Sequence, residues 1–167
     1  MLLRALTLVG GLAGAAGLSQ FPEFSQQYVQ RLGGAVDELG RFVAEFDADA
    51  AEVGLSREAA LSDLAQGGVM GAKRAETMEG VILRHHRLSS DLAALRSAGP
   101  FTRAHRMGKF ADPEIAEAAW QEFQPAVPLT AAGGIFAGAG FLGGLAVVGG
   151  VLALLRAPFR RRRAGVA

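Results

Sequence analysis

The sequence predicts an all-α membrane protein in which two transmembrane helices flank an antiparallel helical hairpin, coiled-coil-like, plus a short helix. Three observations predict it. Leu129 to Leu155 is a run of 27 residues without a charge, followed by Arg156 and the block Arg160, Arg161, Arg162 and Arg163. All 16 acidic residues lie between Glu23 and Glu122, where 11 basic residues leave a net of five negative charges. Within that window two apolar series recur at alternating spacings of three and four, the signature of helical seams.

Composition narrows the function classes. Half of the 167 residues are apolar and the mean hydropathy is +0.25, high for a soluble domain of this length. There is no cysteine, which removes disulfides, thiolate catalysis and cysteine-based zinc or iron-sulfur centres. The expected organisation is an N-terminal transmembrane helix over 1–21, a periplasmic helical domain over 22–126, a glycine-rich helix over 127–155 and a basic tail over 156–167.

The first apolar stretch, Ala5 to Leu18, follows Arg4 and is short. A basic start, an apolar run and the triplet Ala13-Gly14-Ala15 also fit a cleavable secretory signal. Gly10, Gly11, Gly14 and Gly17 echo the glycine-rich C-terminal span, which favours a retained helix. Either way the acidic segment is expected outside. Arg4, Arg156 and Arg160 to Arg163 are expected to anchor both termini in the cytoplasm and to meet anionic headgroups, so that the chain sits in a bacterial inner membrane.

Between the spans, Pro22 sits at an expected helix start, and Val29, Leu32, Val36, Leu39, Val43 and Phe46 form the first seam, with Ala50 and Val53 continuing it. Gly33 and Gly34 interrupt it, and a bend or close crossing is expected there. Gly54 can end this helix, Ser56 can cap a short one carrying Leu61 and Leu64, and Gly67-Gly68 can break it. Met78, Val81, His85, Leu88, Leu92 and Leu95 form the second seam, which stops at Gly99-Pro100. A less regular stretch over Phe101 to Phe110 is then expected. Asp112-Pro113-Glu114 reads as cap, first-turn proline and acidic first turn of a last helix carrying Ile115, Ala119, Trp120 and Phe123. Trp120 and Phe123 suit either a headgroup-level anchor or the outer core.

The last span raises the question of why a membrane helix holds so much glycine. In lipid, helix association depends on close backbone approach, which small residues permit. Gly134 with Gly138, Gly140 with Gly144, and Gly10 with Gly14 are each G-x-x-x-G pairs, and Gly133, Ala137, Gly140 and Gly144 share one face. These residues are the expected packing surface. The spacing leaves open whether the partner is the first helix, a second copy or another protein.

Reactive constellations are sparse. His85 and His86 are adjacent, so on a helix they point about 100° apart, and His85 falls on the seam as a packed residue. No metal site or cofactor is expected. Ser89 and Ser90 lie inside a predicted helix without the strand-turn-helix elbow of a serine nucleophile. Four arginines directly beside a membrane span argue for a lipid and topology anchor over a nucleic-acid contact.

The stretches LSQFPEFSQQYVQRLGGAVDEL (Leu18 to Leu39) and AAWQEFQPAVPLTAAGGIFAGAGFLGG (Ala118 to Gly144) resemble the domain of unknown function 2937 family of proteobacterial membrane proteins. The resemblance implies an inner-membrane protein of two spans with a helical outer domain, and it implies no catalytic residues. The expected function is therefore a non-enzymatic accessory or scaffold subunit that packs on an integral-membrane partner. A self-associating oligomer that shapes the membrane or forms a pore is the alternative. A periplasmic ligand or metal sensor using His85, His86 and His105 is the third.

Overall fold

The computed structural model describes residues 1–126 and 129–163, with side chains to Arg156. Among them every regular element is helical: α1 (Leu2–Ser19), α2 (Phe21–Glu52), α3 (Arg57–Gln66), α4 (Gly68–Arg96), α5 (Pro100–His105), a 3-10 turn (Met107–Phe110), α6 (Pro113–Gln121) and α7 (Ala131–Arg163). The chain divides into two compact units. One comprises Met1–Ser25 with the chain from Phe123 on, and the other Gln26–Glu122.

The first unit is built on α1 and α7. The apolar stretch at the start of Leu2–Glu52 and that of Ala131–Arg156 are both long and apolar enough to cross a membrane. Only 11% and 6% of those windows is buried within the protein, whereas the core helix of a soluble domain is mostly covered. At 33 residues α7 measures about 50 Å, more than the roughly 30 Å hydrocarbon layer. Its backbone continues as helix through Arg160 to Arg163, past the expected end at Leu155. Thr130 caps its first turn, accepting from the Gly133 amide at 3.1 Å. Of the stretch Pro125 to Pro128, Val127 and Pro128 lie outside the described residues.

The second unit has its core on α2 (Tyr28, Val29, Leu32, Val43, Ala50), α4 (Ala75, Met78, Leu88, Leu92, Leu95) and α6 (Ile115, Ala119). These are largely the seam residues; Val36, Leu39, Phe46, Val81 and His85 are half-buried. Val53 stands outside α2 and is 70% exposed, because the helix has already ended. At two glycines α2 lies beside side chains of α4. A Cβ at Gly33 would lie 3.6 Å from Arg96 NH2, and one at Gly40 would lie 3.2 Å from His85 Nε2. No close crossing occurs at Gly33 and Gly34, and α2 runs helical through both. Burial of the seam on either side holds the helix together there despite the low propensity of glycine.

Local chemistry sets the ends of the elements. The Ser56 hydroxyl accepts from the Ala59 amide at 3.2 Å and starts α3. Arg57 grips Asp47 of α2 through both carboxylate oxygens, at 2.7 and 2.5 Å, and holds that carboxyl below its usual range. Gly54 (φ +74°) and Gly68 (φ +81°) supply the left-handed residues at which α2 turns away and α3 gives way to α4. The stretch after Pro100 is more regular than expected, forming α5 and the 3-10 turn. Gly99 and Pro100 start α5, while Arg103 Nε donates to the Leu95 carbonyl at 3.1 Å and Arg106 donates to that of Ala94, satisfying the exposed end of α4.

Two glycines in α4 should respond oppositely to alanine. Gly68→Ala places a side chain in the left-handed region and is expected to destabilise by about 1 kcal/mol. Gly80→Ala, mid-helix with open space around it, is expected to stabilise by about 0.5–1 kcal/mol. Urea unfolding followed by circular dichroism reads both, and shifts of equal sign would contradict this account of the turn.

Candidate interaction surfaces

The first surface lies between α1 and α7, and glycine creates it. Along the antiparallel pair, Thr7 faces Gly149, Gly10 faces Gly144 and Val148, Gly11 faces Phe141 and Leu145, and Gly14 faces Gly140. A Cβ at Gly14 would run into the Gly140 carbonyl, with its carbon at 3.0 Å and the Gly144 Cα at 3.3 Å. The relation is reciprocal. A Cβ at Gly140 would meet the Gly14 carbonyl, its carbon at 2.7 Å, and Leu18 Cβ at 2.9 Å; one at Gly144 would meet that of Gly10, its carbon at 2.8 Å. Because these obstacles are mostly backbone, rotamer changes cannot make room, and the helices hold this separation only with hydrogen at those positions.

Four of the eight expected packing residues therefore meet at one crossing: Gly10, Gly14, Gly140 and Gly144. Gly133 is buried and Ala137 half-buried. Gly134 and Gly138 point elsewhere: both are exposed and a Cβ at either would meet nothing within 4 Å. Gly143 and Gly150 share that openness. The identical G-x-x-x-G spacing thus serves one occupied and one open face of α7.

Sequence reasoning missed the lock at the other end of this unit. The Gln20 amide donates to the Ala126 carbonyl at 3.1 Å and accepts from the Ala126 amide at 3.0 Å, pairing with backbone as a strand neighbour would. Phe21 packs on Phe136 with the rings tilted and their centroids 5.3 Å apart, and Phe24 meets Phe123 edge-on at 5.8 Å. A lone amide at the end of an apolar run was the available signal. Phe123 thus joins an aromatic contact, while Trp120 is 69% exposed.

The second unit has its own polar centre at Asp112. This carboxylate is 4% exposed and accepts from Arg84 at 3.1 Å, Arg87 at 3.0 Å and the Ile115 amide at 3.2 Å, capping α6. Arg84 also pairs with Glu114 at 2.7 Å, and Lys109 with Asp91 at 2.7 Å. Tyr28 packs on Phe110 at 4.7 Å and is fully buried, which pushes its hydroxyl above the usual tyrosine range. Arg31 pairs with Glu122 beyond the end of α6. The cluster fastens α6 and the 3-10 turn to the two long helices.

The histidines do not converge. His85 abuts Gly40, while His86 and His105 are exposed. Among the described residues no group of three His, Asp or Glu side chains is placed to hold a metal ion. Arg4 and Arg156 are exposed, and the side chains of Arg160, Arg161, Arg162 and Arg163 lie outside the described residues.

A family model described as a protein of unknown function (DUF2937) matches residues 2–161. No curated protein and no solved structure matches the chain.

Proposed function

The chain belongs to the DUF2937 family, and from that premise we propose that it is a non-enzymatic accessory or scaffold subunit of the bacterial inner membrane, docking on a larger membrane complex. The observation that carries this reading is the open face of α7. Gly140 and Gly144 are consumed by α1, yet Gly134 and Gly138, one turn apart on a different face, remain exposed on a helix of membrane-crossing length. Glycine lowers helix propensity by about 1 kcal/mol per residue relative to alanine in water. An exposed glycine pair that shares one face, with open space where its side chains would stand, is best explained by a further helix that packs against it.

In this reading α1 and α7 span the bilayer as an antiparallel pair, with Arg4, Arg156 and the arginine block in the cytoplasm. Residues 22–126 stand in the periplasm as a coiled-coil-like hairpin of α2 and α4, braced by α6. The aromatic belt rule favours an interfacial place for the exposed Trp120.

A membrane pull-down at native expression tests the reading. The double variant Gly134→Leu with Gly138→Leu is expected to lose a stoichiometric foreign partner while keeping the α1–α7 pair. Unchanged co-purification overturns it. Recovery of the chain only with itself, again sensitive to these substitutions, selects the homo-oligomer. A second consequence concerns processing. Because Gly10, Gly11 and Gly14 are built into the packing against α7, α1 is expected to remain in the mature protein. Intact-mass measurement of membrane-extracted protein checks this, and a mass lacking residues 1–15 removes the pair from the working molecule.

A further inference from the structure

We infer that the junction of α2, α3 and α4 is a binding site for a small organic cation with an apolar body. The cavity there measures about 300 Å³. From α2 come Phe42, Glu45, Phe46 and Asp49, spaced so that all four lie on one helix face. Leu64 of α3 and the pair Arg74 and Met78, one turn apart on α4, close the remaining sides. The opening exists because α3 packs along α4, leaving this face of α2 uncovered beside it. Its volume is at the small end of the roughly 300–1,000 Å³ of small-molecule sites. A partner helix, about 10–12 Å across, would overfill it.

Charge selects the ligand class. Glu45, Asp49 and Arg74 take part in no ion pair among the described residues, so the lining presents two free carboxylates against one free guanidinium. The neighbouring Asp47 differs, being claimed by Arg57. A single positive charge on the ligand would neutralise the lining, and the faces of Phe42 and Phe46 attract cations as well. Glu45, Asp49 and Arg74 are exposed and hydrated, so a carboxylate ligand would meet two like charges while a neutral one would gain no charge pairing. The apolar body would rest on Phe46, Leu64 and Met78, which are half-buried or buried. This site is independent of the glycine face of α7, so either can fail without the other.

The full chain in phosphatidylcholine nanodiscs, with empty nanodiscs subtracted, is titrated calorimetrically with 4-phenylbutylammonium, the neutral 4-phenylbutanol and the anionic 4-phenylbutanoate. The ammonium is expected to bind saturably and about threefold to fivefold more tightly than the alcohol, with the carboxylate weaker than both. Glu45→Gln with Asp49→Asn should remove that preference. Arg74→Gln, which deletes the opposing cation, should tighten binding of the ammonium. Phe42 is 44% exposed, so Phe42→Ala tests the aromatic contribution without threatening the core, with a loss of about threefold expected. Equal affinity for the three probes, an unchanged double variant, weaker binding in Arg74→Gln, or no saturable binding would each overturn the site.

Discussion

Gly14→Leu is expected to separate α1 from α7. The new side chain would have to enter the space of the Gly140 backbone, with carbonyl carbon and Gly144 Cα within 3.3 Å of its Cβ alone. Overpacking that flexible side chains absorb costs about 1–3 kcal/mol, and here the obstacle is backbone, so about 3 kcal/mol or more is expected. The chain has no native cysteine, so a disulfide reporter is straightforward. Thr7 and Gly149 face each other at the far end of the pair, Thr7 Cγ2 lying 3.8 Å from a Cβ at Gly149, so a sulfur at position 7 would start in van der Waals contact with the Cβ of its partner. With Thr7→Cys and Gly149→Cys in place, oxidation in membranes should crosslink the parent efficiently and Gly14→Leu by at least about tenfold less. Gly17→Leu is the matched control on the same helix, because a Cβ at Gly17 meets nothing within 4 Å. Equal crosslinking of Gly14→Leu and Gly17→Leu would show that the glycine crossing does not hold the pair.

Asp112→Ala is expected to destabilise the unit Gln26–Glu122 by about 2–3 kcal/mol. Loss of the cap on α6 contributes about 1 kcal/mol. The remainder comes from leaving Arg84 and Arg87 without their shared carboxylate. Breaking a buried pair costs about 3–5 kcal/mol. That figure is reduced here because the arginines are 30% and 61% exposed and water replaces part of the loss. Asp112→Asn keeps a capping oxygen and loses only the charge, so about half the effect is expected. Hydrogen exchange localises the damage: α6 amides should exchange faster than those of α3, which has a separate cap at Ser56. A melting curve for Asp112→Ala within about 0.5 kcal/mol of the parent, the scatter of ordinary surface substitutions, would make the cluster ornamental.

Much of the fold was legible because its signals are local or periodic. Ser56 and Asp112 bond to amides three residues on, and Gly54 and Gly68 hold left-handed backbone within the turns they make. Phe101 to Phe110 read as irregular because its short helices depend on Arg103 and Arg106 reaching the carbonyls of another element, a pairing that spacing does not encode. The same holds for Gln20, whose partner Ala126 is 106 residues away.

What the sequence determined by itself is therefore the inventory: one apolar run long enough to cross a membrane and a shorter one at the start, the helices between them with their caps, and glycines at spacings that smooth a helix face. Those properties follow from side-chain polarity, reach along one turn and the 3.6-residue period, all of which act within a segment. Only the tertiary structure decided which smooth face is used. Gly134 with Gly138 and Gly140 with Gly144 have identical spacing, yet one pair is open and the other is pressed against Gly10 and Gly14. The rotation of a helix about its own axis is set by the summed packing of distant residues, and no local spacing contains that information.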